Sequence, residues 1–198
     1  MFVTFEGLDG SGKSTQAELL VERLEADGED VVATREPGGT ELGERIRDLV
    51  LHGSYVAPWA EALLYAAARA QHVDEVIRPA LERGASVVCD RYVDSSVAYQ
   101  GVARGLGLER VLDLNLAAVG GLLPDRTFLL ALDIAQLPSR LRREHDRLER
   151  ESDDFHALAG AGYRELAARF PERIVVLDAT LPAETIAEEV YGALRVRS

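Results

Sequence analysis

Short apolar runs alternate along this chain with longer stretches in which apolar residues return every three or four positions. The runs Phe2–Phe5, Val31–Thr34, Ser86–Cys89, Thr127–Leu132 and Ile174–Leu177 predict five strands. The longer periodicity predicts helices over about 13–27, 41–52, 58–83, 108–119, 153–169 and 183–195. Gly28 and Gly84 stand where left-handed caps would end two of them, and Pro58 suits the first turn of the third. Strands spaced by helices need crossover connections. The pattern therefore predicts an α/β fold: a five-stranded, mostly parallel sheet with helices on both faces. Ligands of such sheets bind beyond the carboxyl ends of the strands. No repeat, low-complexity tract or linker divides the chain, so residues 1–198 are expected to form a single domain.

Composition narrows the classes of partner. A net charge of −12 disfavours nonspecific binding to nucleic acid or to an anionic membrane, because both repel an acidic surface. Any phosphate-bearing ligand must be held by local cations. No apolar run is long enough to span a bilayer, and the first residues become strand without a basic segment before them. The lone Cys89 lies in an apolar strand, where a buried, inert thiol is expected. These features together suggest a reducing, cytoplasmic setting.

Of 22 basic residues, only Lys13 is a lysine; the other 21 are arginine. Lys13 lies in Gly7-Leu8-Asp9-Gly10-Ser11-Gly12-Lys13-Ser14-Thr15, between the first strand and the first helix. The spacing G-x-x-x-x-G-K-[ST] in that context is a P-loop. Its backbone N–H groups and the helix N-terminus surround a polyphosphate, Lys13 reaches the β- and γ-phosphates, and Ser14 is placed to ligate Mg²⁺. A nucleoside triphosphate is the expected ligand. A GTPase-type switch is disfavoured, since its guanine-reading N-K-x-D needs a second lysine.

Other polar groups cluster at strand ends. Asp90 is either a turn residue or the acid that holds Mg²⁺, directly or through water. Arg91 beside it suits a forked phosphate contact. Arg35-Glu36-Pro37-Gly38-Gly39-Thr40 is turn chemistry, and it also sets the Arg35–Glu36 pair beside the site. Arg47 reads as a solvated residue or an anion contact. Tyr65 and Arg69, four apart, share one face of the third helix, which suits either core packing or a grip on a nucleobase. His72 reads as a surface or capping residue. The segment from Pro138 to Arg150 holds five arginines among acids. It fits a solvated helix laced with ion pairs, or a lid that closes over a transferring phosphoryl group.

Taken with Asp90-Arg91-Tyr92 through Ser95-Ser96-Val97-Ala98-Tyr99-Gln100-Gly101, Arg69-Ala70-Gln71-His72 and Leu123-Pro124-Asp125, these motifs resemble bacterial thymidylate kinases over essentially the whole chain. The resemblance implies a P-loop nucleoside monophosphate kinase fold, transfer of the γ-phosphoryl of ATP to dTMP with Mg²⁺, and a homodimer. It implies that Lys13 and Ser14 serve phosphate and metal, and that Asp9 meets the acceptor's 3′-hydroxyl. Arg47 and Arg91 would bind the acceptor phosphate, with Asp90 near the metal. Arg69, Ser96 and Gln100 would surround the thymine, Tyr99 would crowd a 2′-hydroxyl, and Tyr65 would replace a stacked phenylalanine. Gly10 occupies the position where some members carry a P-loop arginine. The chain therefore resembles the lid type, with Arg142 or Arg143 reaching the transferring group. Arg126 replaces a leucine common there, and the sequence offers no account of it. Another nucleotide or deoxynucleoside kinase, or a non-catalytic ATP-binding scaffold, is the alternative.

Overall fold

The computed structural model describes residues 1–132 and 146–195. Five strands, β1 (Phe2–Glu6), β2 (Val31–Arg35), β3 (Ser86–Asp90), β4 (Arg126–Ala131) and β5 (Ile174–Asp178), form one sheet in the order β2-β3-β1-β4-β5. Every pairing is parallel. All five residues of central β1 are buried, which explains its unbroken run of apolar and paired polar residues. The chain order runs away from β1 on both sides, so the loop after β1 opens into the crevice at the switch point of the sheet.

Strand alternation splits the core into two layers. Val3, Phe5, Val88, Phe128 and Leu130 face Leu20 and Leu24 of α1 (Lys13–Ala26) and Ile186 and Val190 of α8 (Ala183–Arg195). Phe2, Val87, Cys89 and Leu129 face the other layer. That layer draws on α2 (Glu41–His52), α3 (Pro58–His72), α6 (Leu108–Ala118) and α7 (Asp153–Arg169). Cys89 is fully buried, and burial pushes its thiol well above the ordinary range.

Each strand runs close to its expected bounds. The third helix is less regular than its periodicity suggests. α3 passes through a π-helical segment, Val73–Ile77, before α4 (Arg78–Glu82) completes it. Residues 93–103, which the apolar pattern leaves without an element, are helical: α5 (Val93–Ser96) continues into a π-helical segment, Val97–Ala103. Ser95, Ser96 and Val97 are poor helix formers, so packing stabilises this stretch. α7 approaches it so closely that a Cβ on Gly162 would lie 3.0 Å from Ala98 Cα. Arg126 has a structural role: its guanidinium donates to the Glu172 carbonyl oxygen at 2.6 Å, tying the start of β4 to the turn before β5. Among the described residues no helix is long and apolar enough to cross a membrane.

Candidate active site

The first glycine of the P-loop is required by its surroundings. Gly7 has φ +139°, and a Cβ there would meet the Leu130 carbonyl oxygen at 2.6 Å. The chain can therefore leave β1 and curl tightly above β4. Lys13 opens α1 and turns back to donate from Nζ to the Leu8 carbonyl at 2.8 Å. Its amine spans the loop where a triphosphate would lie. Burial, then the nearby Arg91 charge, lower the Lys13 pKa to about 8 against the pull of Asp9 and Asp90. Ser11 Oγ is buried without a hydrogen-bond partner.

Ser14 Oγ donates to Asp90 Oδ2 at 2.6 Å, while Asp90 Oδ1 is buried without a partner. An orphaned carboxylate oxygen beside a hydroxyl is a donor set suited to Mg²⁺. Among the described residues no three acidic, histidine or cysteine side chains converge on a cation site.

Arg91 forms the wall beyond the P-loop. Its φ of +72° is left-handed, a strained state for a side-chain-bearing residue. The surroundings fix it there. Its backbone N–H donates to Phe5 O at 2.9 Å, and its guanidinium donates to Asp9 Oδ1 at 2.6 Å, Ser95 Oγ at 3.0 Å and Tyr163 Oη at 3.1 Å. Tyr99 Oη donates to the other Asp9 oxygen at 3.2 Å. Burial opposes the Asp9 charge, yet Arg91 and Lys13 hold its carboxyl well below the usual carboxylate range. Burial and Asp9 push the Tyr99 phenol up, so it stays a donor. Beneath them Glu6 accepts from Tyr92 N–H, Ser95 Oγ and Tyr163 Oη at 2.5–3.0 Å. Burial and Asp94 lift the Glu6 pKa to about 7.

A cavity opens behind this wall. It is lined by Asp9, Glu36, Arg47, Tyr65, Arg69, Arg91, Ser96, Tyr99 and Gln100, so the expected acceptor residues converge on one space. Asp9, Glu36, Arg47 and Arg91 also border the P-loop cleft that holds Lys13, Ser14 and Asp90. The two spaces therefore meet at a shared boundary. Arg69 is almost fully buried and held by protein groups: Glu36 Oε2 at 2.6 Å, Ser96 Oγ and the Tyr92 carbonyl at 3.0 Å each, and Asn115 Oδ1. Arg47 donates to the Pro37 carbonyl at 2.9 Å.

A family model described as thymidylate kinase matches residues 5–190. The chain belongs to the thymidylate kinase family. It is 56% identical over 200 residues to a thymidylate kinase of Clavibacter sepedonicus, covering 99% of this chain and 95% of that protein. It is 49% identical to one from Pelotomaculum thermopropionicum over 97% of this chain and 91% of that protein. The crystal structure of thymidylate kinase from Ehrlichia chaffeensis superposes with a TM-score of 0.83 at 33% identity, covering 98% of both chains.

Within this member of the thymidylate kinase family several side chains depart from their sequence-based reading. His72 is fully buried, neither a surface nor a capping group. Its Nδ1 lies 2.9 Å from Glu36 Oε1 and its Nε2 2.6 Å from Thr34 Oγ1, so the imidazole braces Glu36 from behind. Arg35 borders the P-loop cleft as expected, and its guanidinium pairs with Glu44 at 3.0 Å. Arg147, counted among the lid arginines, donates to the Val50 carbonyl at 2.8 Å and to the buried Glu61. Arg142 and Arg143 lie outside the described residues. Leu51, Asp146 and Leu148 also line the cavity, although no motif marks them. Asp94, Asn115, Tyr163 and Arg173 are equally unmarked in the sequence. Arg173 holds Asp94 through two contacts of 2.6 and 2.7 Å.

Proposed function

We propose that this protein transfers the γ-phosphoryl group of ATP to dTMP, giving dTDP and ADP, across the boundary formed by Asp9, Glu36, Arg47 and Arg91. The observation that carries the assignment is that shared boundary. A P-loop cleft and an acceptor cavity meet at two arginines, where the acceptor phosphate would face the donor's terminal phosphate. The acceptor phosphate is already anionic, so the transfer needs no strong general base. Catalysis is positioning and charge stabilisation.

Lys13 neutralises the donor's β- and γ-oxygens, and Arg91 offers its guanidinium to the group in flight. Asp9, kept ionised by Arg91 and Lys13, accepts from the 3′-hydroxyl of the acceptor sugar. Tyr99, donating to Asp9, occupies the space that a 2′-hydroxyl would need. Tyr65 lies against the base, and Ser96 and Gln100 contact its polar edge. Arg69 shapes that wall through the groups it already holds. Ser14 and Asp90 would hold Mg²⁺, which would supply further charge neutralisation at the phosphates. Arg142 and Arg143 remain the proposed lid arginines. Replacing both with alanine is expected to lower kcat far more than it raises the KM for dTMP. We further propose that the protein acts as a homodimer in the cytoplasm.

The direct test is ADP release with Mg·ATP against dTMP, dUMP, dCMP, AMP, GMP and thymidine. Turnover is expected to be strongest with dTMP and lost by orders of magnitude in Lys13→Ala. Preferential turnover of thymidine would instead remove the acceptor-phosphate roles of Arg47 and Arg91.

A further inference from the structure

We infer that Glu61, a carboxylate outside the cavity, is a positioning residue that orients Gln100 and thereby fixes which pyrimidine edge the pocket accepts. Glu61 lies in the first turn of α3 and is wholly buried. It receives Gln100 Nε2 at 2.9 Å, the Arg104 guanidinium at 3.4 Å through both Nε and a terminal nitrogen, and Arg147. Gln100 borders the cavity, whereas Glu61 sits behind it. Arg104 is itself fixed by Glu151 at 2.7 Å and lies over the Phe155 ring at 4.6 Å. Arg147 is fixed by the Val50 carbonyl. The Glu61 carboxylate is thus clamped from two sides and has little freedom to move.

The chemistry follows from donor and acceptor types. A carboxylate paired with two guanidiniums only accepts hydrogen bonds. A side-chain amide facing it must present its NH₂ end, because its oxygen would be repelled. With Nε2 anchored in the wall, Gln100 turns Oε1 toward the cavity. An acceptor at that place suits a base whose ring nitrogen carries hydrogen, the N3–H of thymine or uracil. Cytosine presents a lone pair at N3 and meets oxygen against nitrogen. Glu61 therefore sets the preference for imide bases without touching the nucleotide. Sites built on a specific hydrogen bond discriminate strongly, because the wrong ligand leaves buried groups unpaired.

This inference rests on the placement of Gln100 against the base, and the experiment separates the two. Kd values for dTMP and dCMP, with kcat for dTMP, are measured in the wild type, Gln100→Leu, Glu61→Gln and the double variant. Thermal melts are run alongside. Glu61→Gln can accept or donate, which releases the Gln100 amide to turn. The dCMP-to-dTMP ratio of Kd is expected to fall by about tenfold or more, with kcat for dTMP within a few-fold of wild type. Adding Glu61→Gln to Gln100→Leu should change the ratio no further. An unchanged ratio in folded Glu61→Gln, additive effects in the double variant, or a wild type that binds both nucleotides equally would each overturn the inference. If Gln100→Leu alone leaves the ratio unchanged, the assignment of Gln100 fails and carries the inference with it. Should Glu61→Gln fail to fold, Glu61→Asp is judged by the same ratio. It keeps the charge for both guanidiniums but withdraws the acceptor by one methylene.

Discussion

Lys13 joins two demands in one amine, since its proposed role is to bind a triphosphate, yet it lies buried beside Arg91. Burial lowers its pKa to about 8, so the free protein loses this charge as the pH rises through that value. The bound triphosphate favours the cation. ATP affinity should therefore be level below about pH 8 and weaken above it, by at most about tenfold per pH unit. Titration calorimetry at pH 8.5 in two buffers should also show proton uptake on binding. A flat affinity from pH 7 to 9.5 would contradict the assigned role. The P-loop residues were legible because their spacing alone carries the chemistry. Glu61, Asp94 and Asn115 were not. Each lies among ordinary helix residues, and each acquires its meaning from a partner some 40 to 80 positions away: Gln100, Arg173 and Arg69.

Secondary elements were readable where one face is apolar and one polar, as along α2 and α8. The segment at 93–103 has no such contrast, because α6 and α7 enclose it and most of its residues are buried. Tertiary packing overrides its weak propensity, and Gly162 permits the close approach. Gly162→Ala would drive a methyl group against Ala98 Cα at 3.0 Å and Val102 at 3.1 Å. The expected cost is about 1–3 kcal/mol, read as a lowered Tm, with weaker dTMP binding because Tyr99 and Gln100 ride on the same segment. At Gly192, on α8, a Cβ would meet nothing within 4 Å. Gly192→Ala should instead raise stability by up to about 1 kcal/mol and leave binding unchanged.

The whole molecule carries a strongly acidic net charge around a site whose two spaces share Arg47 and Arg91. Parallel topology was legible from the alternation of strand and helix, and with it the position of the site at the carboxyl edge of β1 and β3. The depth of the acceptor cavity was not, because it depends on how α2, α3 and residues 146–148 close around it. Leu42, Leu49, Trp59 and Leu63 on α2 and α3 stay substantially exposed, which is costly for a lone chain. Sedimentation equilibrium should give about twice the chain mass of 21.6 kDa, with Leu63→Glu shifting the protein toward that single-chain mass. A wild-type mass equal to one chain would refute the homodimer.

An exterior whose cations are all arginine offers no side-chain amines to a reagent. Apart from an N-terminal amine, imine formation can reach this protein only at Lys13, which lines the P-loop cleft. An aldehyde bearing a phosphate group thus becomes a site-directed label. The part of its incorporation that ATP prevents is expected to count the Lys13 sites, separately from any label at the N-terminus.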